Sequence, residues 1–329
     1  MSMSKKLLLF LVEGVMSLQV VFLVTNHLNL FLKKLNMKLE NQSDFYLLHK
    51  PKSWTSQDLC TFFKKKYKFK KIGHSGTLDP SAEGLMLIAT NKYTKLFDYI
   101  ENTHKTYEFE ALFGFESATN DTDSELVEIE SINLESKLEE LDKGISGLTG
   151  NIKQVPPIYS AVKVKGKRLY KYARQEKEVE LPIRDVAVNN FKLISYEGNK
   201  AKFIATVSKG TYIRSLIVDL AKSIGTKAVA SSINRIEIGN LSKKNSNVIK
   251  NIEQLERTNT PEPLDWRILF DIPIISVQDD VLKDIKNGNF LKSSLFGSDG
   301  PHIIENKNSI VAIYEPYNEN KFKPQKVLI

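Results

Sequence analysis

The chain has 329 residues, of which 41% are hydrophobic and 26% charged, and it carries a net charge of +8. This length makes one large or two modest domains with a sizeable core, and the composition excludes a disordered or fibrous chain. Cys60 is the only cysteine, which excludes an internal disulfide and a multi-thiolate zinc site and fits a reducing compartment. The positive balance suits a polyanionic partner such as nucleic acid.

At the N-terminus, Lys5 and Lys6 precede an apolar run from Leu7 to Val12, and a second runs from Val20 to Val24. Glu13 and Gln19 interrupt them, so the stretch falls short of the roughly 20 apolar residues of a membrane span. No clear small-residue cleavage site follows. Residues 1–43 therefore read as an extension, with an alternative start near Met37, in preference to a signal or an anchor.

"DFYLLHKP" (44–51) reads as a strand ending at Pro51. Thr55 can cap a helix, with Asp58 at capping-box spacing. Leu59, Phe62, Phe63 and Tyr67 follow at helical intervals. Lys64, Lys65, Lys66, Lys68, Lys70 and Lys71 crowd its end. They form either a solvated face matched to the helix dipole or a phosphate-contacting patch.

The loop "GHSGTLDPSAEG" (73–84) surrounds one histidine and one aspartate with glycine and small hydroxyl residues. Pro80 biases Asp79 towards an extended conformation. "GLMLIAT" then reads as a strand and "KYTKLFDYI" as a short helix. "KTYEFEALFGF" (105–115) alternates, with Tyr107, Phe109, Ala111, Phe113 and Phe115 on one face. Asp121 and Asp123 lack the ligand series and distal glutamate of a calcium loop, so "ESATNDTDSE" reads as a plain polar loop. Leu134 to Ile145 is a helix closing near Gly147.

"QVPPIYSAVKVKGKRLYKYARQ" (154–175) carries Lys163, Lys165, Lys167, Arg168, Lys171 and Arg174, interleaved with Tyr159, Tyr170 and Tyr172. Basic and aromatic residues in one segment suit backbone tracking with base stacking. That reading is favoured over an amphipathic hairpin and helix whose lysines merely face water. "KAKFIATVSKGTYIRSLIVDLAKSIG" (200–225) is a strand, a turn at Gly210 and a helix. Ile213, Leu216, Ile217, Leu220, Ala221 and Ile224 form its apolar stripe, and Gly225 fits a C-cap. Arg214 sits in the first turn, where the dipole disfavours a cation. Arginine is scarce here, and its fork suits a carboxylate, so pairing with an acid is favoured over a purely structural surface arginine. Residues 248–270 read as a short helix and linker, and 271–329 as a small β-rich domain. There is no GxxxxGK[ST] loop to support nucleotide hydrolysis.

Taken in order, "HKP", "IGHSGTLDPSAEGLMLIATNKYTKLFDY", "KTYEFEALFG", "QVPPIYSAVKVKGKRLYKYAR" and "SKGTYIRSLIVDLAKSIG" resemble the bacterial tRNA pseudouridine synthase B family over about residues 44–241. The tail resembles that family's PUA-related C-terminal module more faintly. The resemblance implies an α+β fold with a central mixed, mostly antiparallel sheet flanked by helices. It places the catalytic domain at 44–247 and a PUA-like domain at 271–329. The implied reaction isomerises the T-loop uridine of tRNA, conventionally position 55, to pseudouridine, without metal or cofactor. The implied protein is a cytoplasmic monomer whose partner is the tRNA T-arm.

By the same resemblance, Asp79 matches the catalytic carboxylate, Arg214 its arginine, and Tyr107 the tyrosine that stacks on the target base. His74 matches the residue that occupies the space left by the flipped base. Lys50 and Tyr212 match positions lining the site, and Gly76 and Ile233 complete the substrate-binding set. Segments 64–71 and 163–174 are the expected T-arm contacts. Three routes are open to the acid: attack on the sugar, attack on the base, or removal of a sugar proton. Each needs an ionised carboxylate in an enclosed site. The chain departs from the family at His49, Glu83 and Asn234, where Asp, Thr or Ser, and Arg are usual. Two other readings stand beside the synthase. One is a tRNA-binding or folding helper, resting on the basic segments. The other is a membrane-tethered protein, resting on residues 7–24.

Overall fold

The computed structural model describes residues 40–100, 104–242, 252–257 and 261–329. The apolar runs of residues 7–24 and the start near Met37 lie outside the described residues. Among the described residues, no helix is long and apolar enough to cross a membrane.

Nine strands form one sheet: β1 (Phe45–Lys50), β2 (Ile72–Ser75), β3 (Glu83–Thr90), β4 (Lys105–Phe113), β5 (Gly150–Gln154), β6 (Arg184–Glu197), β7 (Lys200–Val207), β8 (Ala228–Ile238) and β9 (Leu241–Ser242). Their order is β1–β3–β8–β4–β7–β6–β5, with β2 beside β3 and β9 beside β8. The β3–β8 join is parallel. The remaining ladders are antiparallel.

Three helices, α1 (Ser56–Tyr67), α2 (Leu138–Gly147) and α3 (Ile213–Ser223), share a core with one face of this sheet. Thr55 and Asp58 form the capping box that opens α1, and Leu59, Phe63 and Tyr67 are buried beneath it. The apolar stripe of α3 is buried throughout. The alternation of β4 buries Tyr107, Phe109, Ala111 and Phe113 and exposes Glu108, as expected for a sheet with one packed face. Phe115 does not continue that face. Gly114 turns the chain with φ +84, where a Cβ would lie 2.3 Å from the carbonyl oxygen of Glu130. The chain breaks there, and Phe115 instead joins a two-residue pairing with Val127–Glu128.

At the β1–β3 end the sheet is covered on both faces. Phe45, Leu47, Leu85 and Leu87 pack with Tyr93 and Leu96 of a 3-10 run (Asn91–Tyr99) and with Ile303, Ile310 and Ile313. Those isoleucines belong to a second sheet: β10 (Ile274–Ser276), β11 (Leu291–Lys292), β12 (His302–Asn306), β13 (Ser309–Asn318) and β14 (Lys321–Val327), in the order β10–β12–β13–β14–β11. Ile310 N donates to the Tyr93 hydroxyl at 2.7 Å, tying the two sheets together. Leu264, Trp266 and Leu269 are buried in the shared core, and Trp266 Nε1 donates to Asn308 O at 3.0 Å.

The parallel join matters most for the site. Gly84 of β3 faces Arg235 of β8, with φ +119, and a Cβ there would fall 2.4 Å from Arg235 O and 2.5 Å from Arg235 N. Only glycine lets the backbones meet this closely. Arg235 in turn registers with Tyr107 of β4, and Tyr107 with Ala205 of β7. The start of β3, the start of β4 and the end of β7 thus reach one edge of the sheet. Gly84→Ala is expected to lower stability by more than about 2 kcal/mol, from strained φ plus a backbone clash. Urea unfolding measures this, and an unchanged midpoint would show that the strands do not meet so closely.

Candidate active site

The loop from Gly76 to Ala82 joins β2 to β3 and is pinned on three sides. Gly76 takes φ +82. Ser56 Oγ, at the start of α1, donates to Leu78 O at 3.0 Å and accepts from Leu78 N at 2.8 Å. Pro80 O accepts from Ser53 N at 2.8 Å, and Ser81 Oγ donates to Asp121 Oδ2 at 3.0 Å. This fixed loop presents the Asp79 side chain, which remains 32% exposed.

Arg214 meets it from α3. Its Nη2 lies 2.8 Å from Asp79 Oδ2. The guanidinium is 3% exposed, so the arginine is the buried member of the pair. Nη1 donates to Thr119 O at 2.6 Å and Nη2 to Tyr159 O at 2.9 Å, while Asp121 Oδ2 lies 3.9 Å from Nη1. Two carbonyls and two carboxylates thus offset the unfavourable helix position and the desolvation of the charge. Asp121 is buried, and Thr119 Oγ1 and Asp123 N both donate to its Oδ1. The polar-loop reading therefore missed part of the site, because nothing in the loop's sequence ties Asp121 to a helix 90-odd positions away. Among the described residues, no group of three or more His, Cys, Asp or Glu stands close enough to hold a metal.

Beside the ion pair lies a cleft of about 230 Å³, lined by Gly76, Asp79, Lys105, Tyr107, Tyr212, Arg214 and Ile233, with the buried Arg235 at its base. Tyr107 is nearly buried, and its hydroxyl accepts from Arg235 Nη1 at 3.5 Å. Tyr212 precedes α3 and is clamped by the buried Gln154 of β5. Tyr212 N donates to Gln154 Oε1 at 2.7 Å, and Gln154 Nε2 donates to Tyr212 O at 3.2 Å. Burial pushes the Tyr212 phenol up from its ordinary range.

A wider opening of about 600 Å³ adjoins the other side of Asp79, lined by His74, Tyr159, Arg168, Tyr170 and Arg174. Burial, and then Arg235, push His74 below the usual imidazole range. The 163–174 segment forms a hairpin of Lys163–Val164 with Lys167–Arg168, followed by a helical turn, Leu169–Ala173. Arg174 lies over the Tyr170 ring at 5.5 Å and Lys167 over Tyr172 at 4.7 Å. Lys163, Lys165 and Lys171 are exposed.

Two expectations change. Lys50 is fully buried and does not line the cleft. Its Nζ sits behind the loop, donating to Pro51 O at 2.9 Å and to Trp54 and Pro80 carbonyls. Burial pushes its amine down to about 8. Its amine ties the backbone of Pro51 and Trp54, ahead of α1, to Pro80 in the Asp79 loop. The lysines of 64–71 crowd the C-terminal end of α1, roughly 18 Å along a 12-residue helix from the end that borders Asp79. Their placement favours dipole matching over contact near the cleft. Lys105 and Arg235 were missed. Lys105 stands two residues before Tyr107 and so shares its face, which is a signal the sequence did contain.

The architecture has known counterparts. The crystal structure of a Cbf5-Nop10-Gar1 complex matches with a TM-score of 0.62 at 20% identity, covering 88% of this chain and 86% of that one. The structure of an H/ACA RNP bound to a substrate RNA containing 2'-deoxyuridine matches with a TM-score of 0.62 at 17% identity, covering 89% and 86%. The fold is that of the pseudouridine synthases. The family model described as TruB family pseudouridylate synthase (N terminal domain) matches residues 64–213. The tRNA pseudouridine synthase B of Bacillus cytotoxicus is 37% identical over a 296-residue alignment that covers 86% of this chain and 96% of that relative. That of Mesoplasma florum is 38% identical over 285 residues, 86% and 97%. The chain belongs to the tRNA pseudouridine synthase B family.

Ser56→Ala strands the N–H and C=O of Leu78 in a buried position. It is expected to cost about 1–3 kcal/mol in urea unfolding. A midpoint equal to the parent's would show that the Asp79 loop is held by other means.

Proposed function

We propose that this tRNA pseudouridine synthase converts the T-loop uridine, conventionally position 55, to pseudouridine through Asp79. The observation that carries the reading is the 2.8 Å pair between Asp79 and the buried Arg214, set at a cleft that Tyr107 also lines. The reaction breaks the bond from ribose C1′ to base N1 and makes one from C1′ to C5. Both atoms must be reached, so the nucleotide leaves its stack, at a cost of a few kcal/mol that is lower in a loop than in a duplex. The cleft beside Asp79 is where the everted base would go. Tyr107 stacks on it, Ile233 and Tyr212 wall it, and Gly76 lets the nucleotide approach the backbone. His74, at the wider opening, occupies the gap the base leaves.

The wider opening gives the RNA its track. Arg168 and Arg174 border it with Tyr170 between them, and Lys163, Lys165, Lys167 and Lys171 follow on the same hairpin and turn. These suit phosphate and sugar contacts along the T-arm, with recognition by shape more than by sequence. On the same footing we assign 44–247 as the catalytic domain, 271–329 as a PUA-like RNA-binding module, the cytoplasm as the compartment and a monomer as the working unit.

The test uses tRNA from cells lacking the chain, with pseudouridine mapped by mass. The parent protein is expected to restore pseudouridine at position 55. Asp79→Asn is expected to bind the same tRNA and restore none. Turnover by Asp79→Asn would exclude Asp79 as the essential acid, and modification elsewhere with position 55 untouched would exclude the T-loop assignment.

A further inference from the structure

The base of the cleft holds two cations side by side. Lys105 of β4 is 7% exposed and Arg235 of β8 is fully buried. A Cβ built on Gly76 would lie 3.7 Å from Lys105 Nζ and 3.4 Å from Arg235 Nη1, so both heads meet beneath that glycine. Arg235 spends its donors on neutral acceptors: Nε on Leu85 O at 2.7 Å, Nη2 on Gly76 O at 3.1 Å, and Nη1 on the Tyr107 hydroxyl at 3.5 Å. Among the described residues, no carboxylate oxygen comes within 4.0 Å of either cation.

Such an arrangement is unfavourable on its own. Each buried cation raises the energy of the other, and neither is neutralised by an adjacent acid. Burial first, then Arg235, then Lys209, push the Lys105 amine down to about 8. The other charged or titratable groups facing the cleft are Arg214 from α3, Lys209 and Tyr212 from the turn before it, Asp79 from its loop and Tyr107 on the same strand. Asp79 is already paired with Arg214. The cations therefore lack a counter-charge that the bound substrate could supply during reaction.

We propose that Lys105, backed by Arg235, stabilises negative charge on the uracil ring while that ring is changing its bond to the ribose. The inference rests on the uridine-isomerisation reading. When the N1–C1′ bond breaks, its electron pair stays with the base, leaving a uracil anion delocalised onto its carbonyl oxygens. C5 then supplies the pair that re-forms the bond to C1′. The C5 proton is lost and N1 gains one, so the product is an isomer of the substrate and no other reactant is consumed. Addition of a carboxylate to the ring would also place negative charge on it, so the cation acts in either route. A fixed charge of this kind favours the charged transition state over the neutral bound base, which is the condition for raising turnover.

The experiment is single-turnover pseudouridine formation on tRNA across the pH range around 8, with tRNA affinity measured separately, for the parent, Lys105→Met, Lys105→Arg and Asp79→Asn. The parent rate is expected to fall as pH rises through about 8, as Lys105 loses its proton. Lys105→Met is expected to be slower by roughly 100-fold at neutral pH, with tRNA affinity kept and the alkaline fall abolished. Lys105→Arg is expected to recover most of the rate without the fall, because a guanidinium does not titrate there. Parental rate in Lys105→Met would overturn the inference. So would a slow Lys105→Met with a Lys105→Arg that is no faster, because restoring the charge would then restore nothing. In both cases an active parent and a dead Asp79→Asn would leave the functional reading standing. A parent that forms no pseudouridine would overturn that reading and this inference with it.

Discussion

A guanidinium taken out of water has to be surrounded by acceptors, and here the acceptors come from three separate parts of the chain. Arg214 is reached by Asp79 of the β2–β3 loop, by Asp121 and Thr119 of the polar loop, and by Tyr159 before the basic hairpin. The cost of desolvating such a charge is on the order of several kcal/mol, so none of these segments can drift without exposing the cost. The arginine is thus both the partner of Asp79 and the tie that closes the cleft around it. The acid itself keeps a third of its surface open, which the proposed role needs.

The sheet supplies the rigidity that this pairing needs. The parallel β3–β8 contact at Gly84 brings Arg235 under the Asp79 loop, and the β8–β4 register puts Tyr107 next to Arg235. Tyr107 and Lys105 stand on a strand whose packed face continues through Phe109 and Ala111 into the core. Side chains held on strands lose little freedom when a substrate arrives, so the geometry is ready before binding. The loop that carries Asp79 is held to the same standard by Ser56 and Ser81.

Much of this was legible in the sequence, for physical reasons. The capping box of α1, the period-2 burial of β4 and the stripe of α3 are local patterns, and each appears where its spacing placed it. Arg214 was legible because it sits at a helix position that disfavours it. What failed was long-range or depended on depth. Asp121 looks like any loop acid until the fold brings it to α3. Lys50 matches a position lining the site, and its burial beneath three carbonyls depends on the fold. The buried Leu264 and Trp266 were hidden by the Pro- and Glu-rich composition around them. Phe115 obeyed the alternation on paper, but Gly114 turned the chain before it.

A crystal structure of the chain bound to a T-arm stem-loop tests the central pairing most directly. The account predicts a uridine out of its stack, with a reacting atom of its ribose or base about 3–3.5 Å from an Asp79 carboxylate oxygen and Arg214 still against that carboxylate. A base left stacked in its loop, or an Arg214 turned away from Asp79 when RNA is bound, would contradict it.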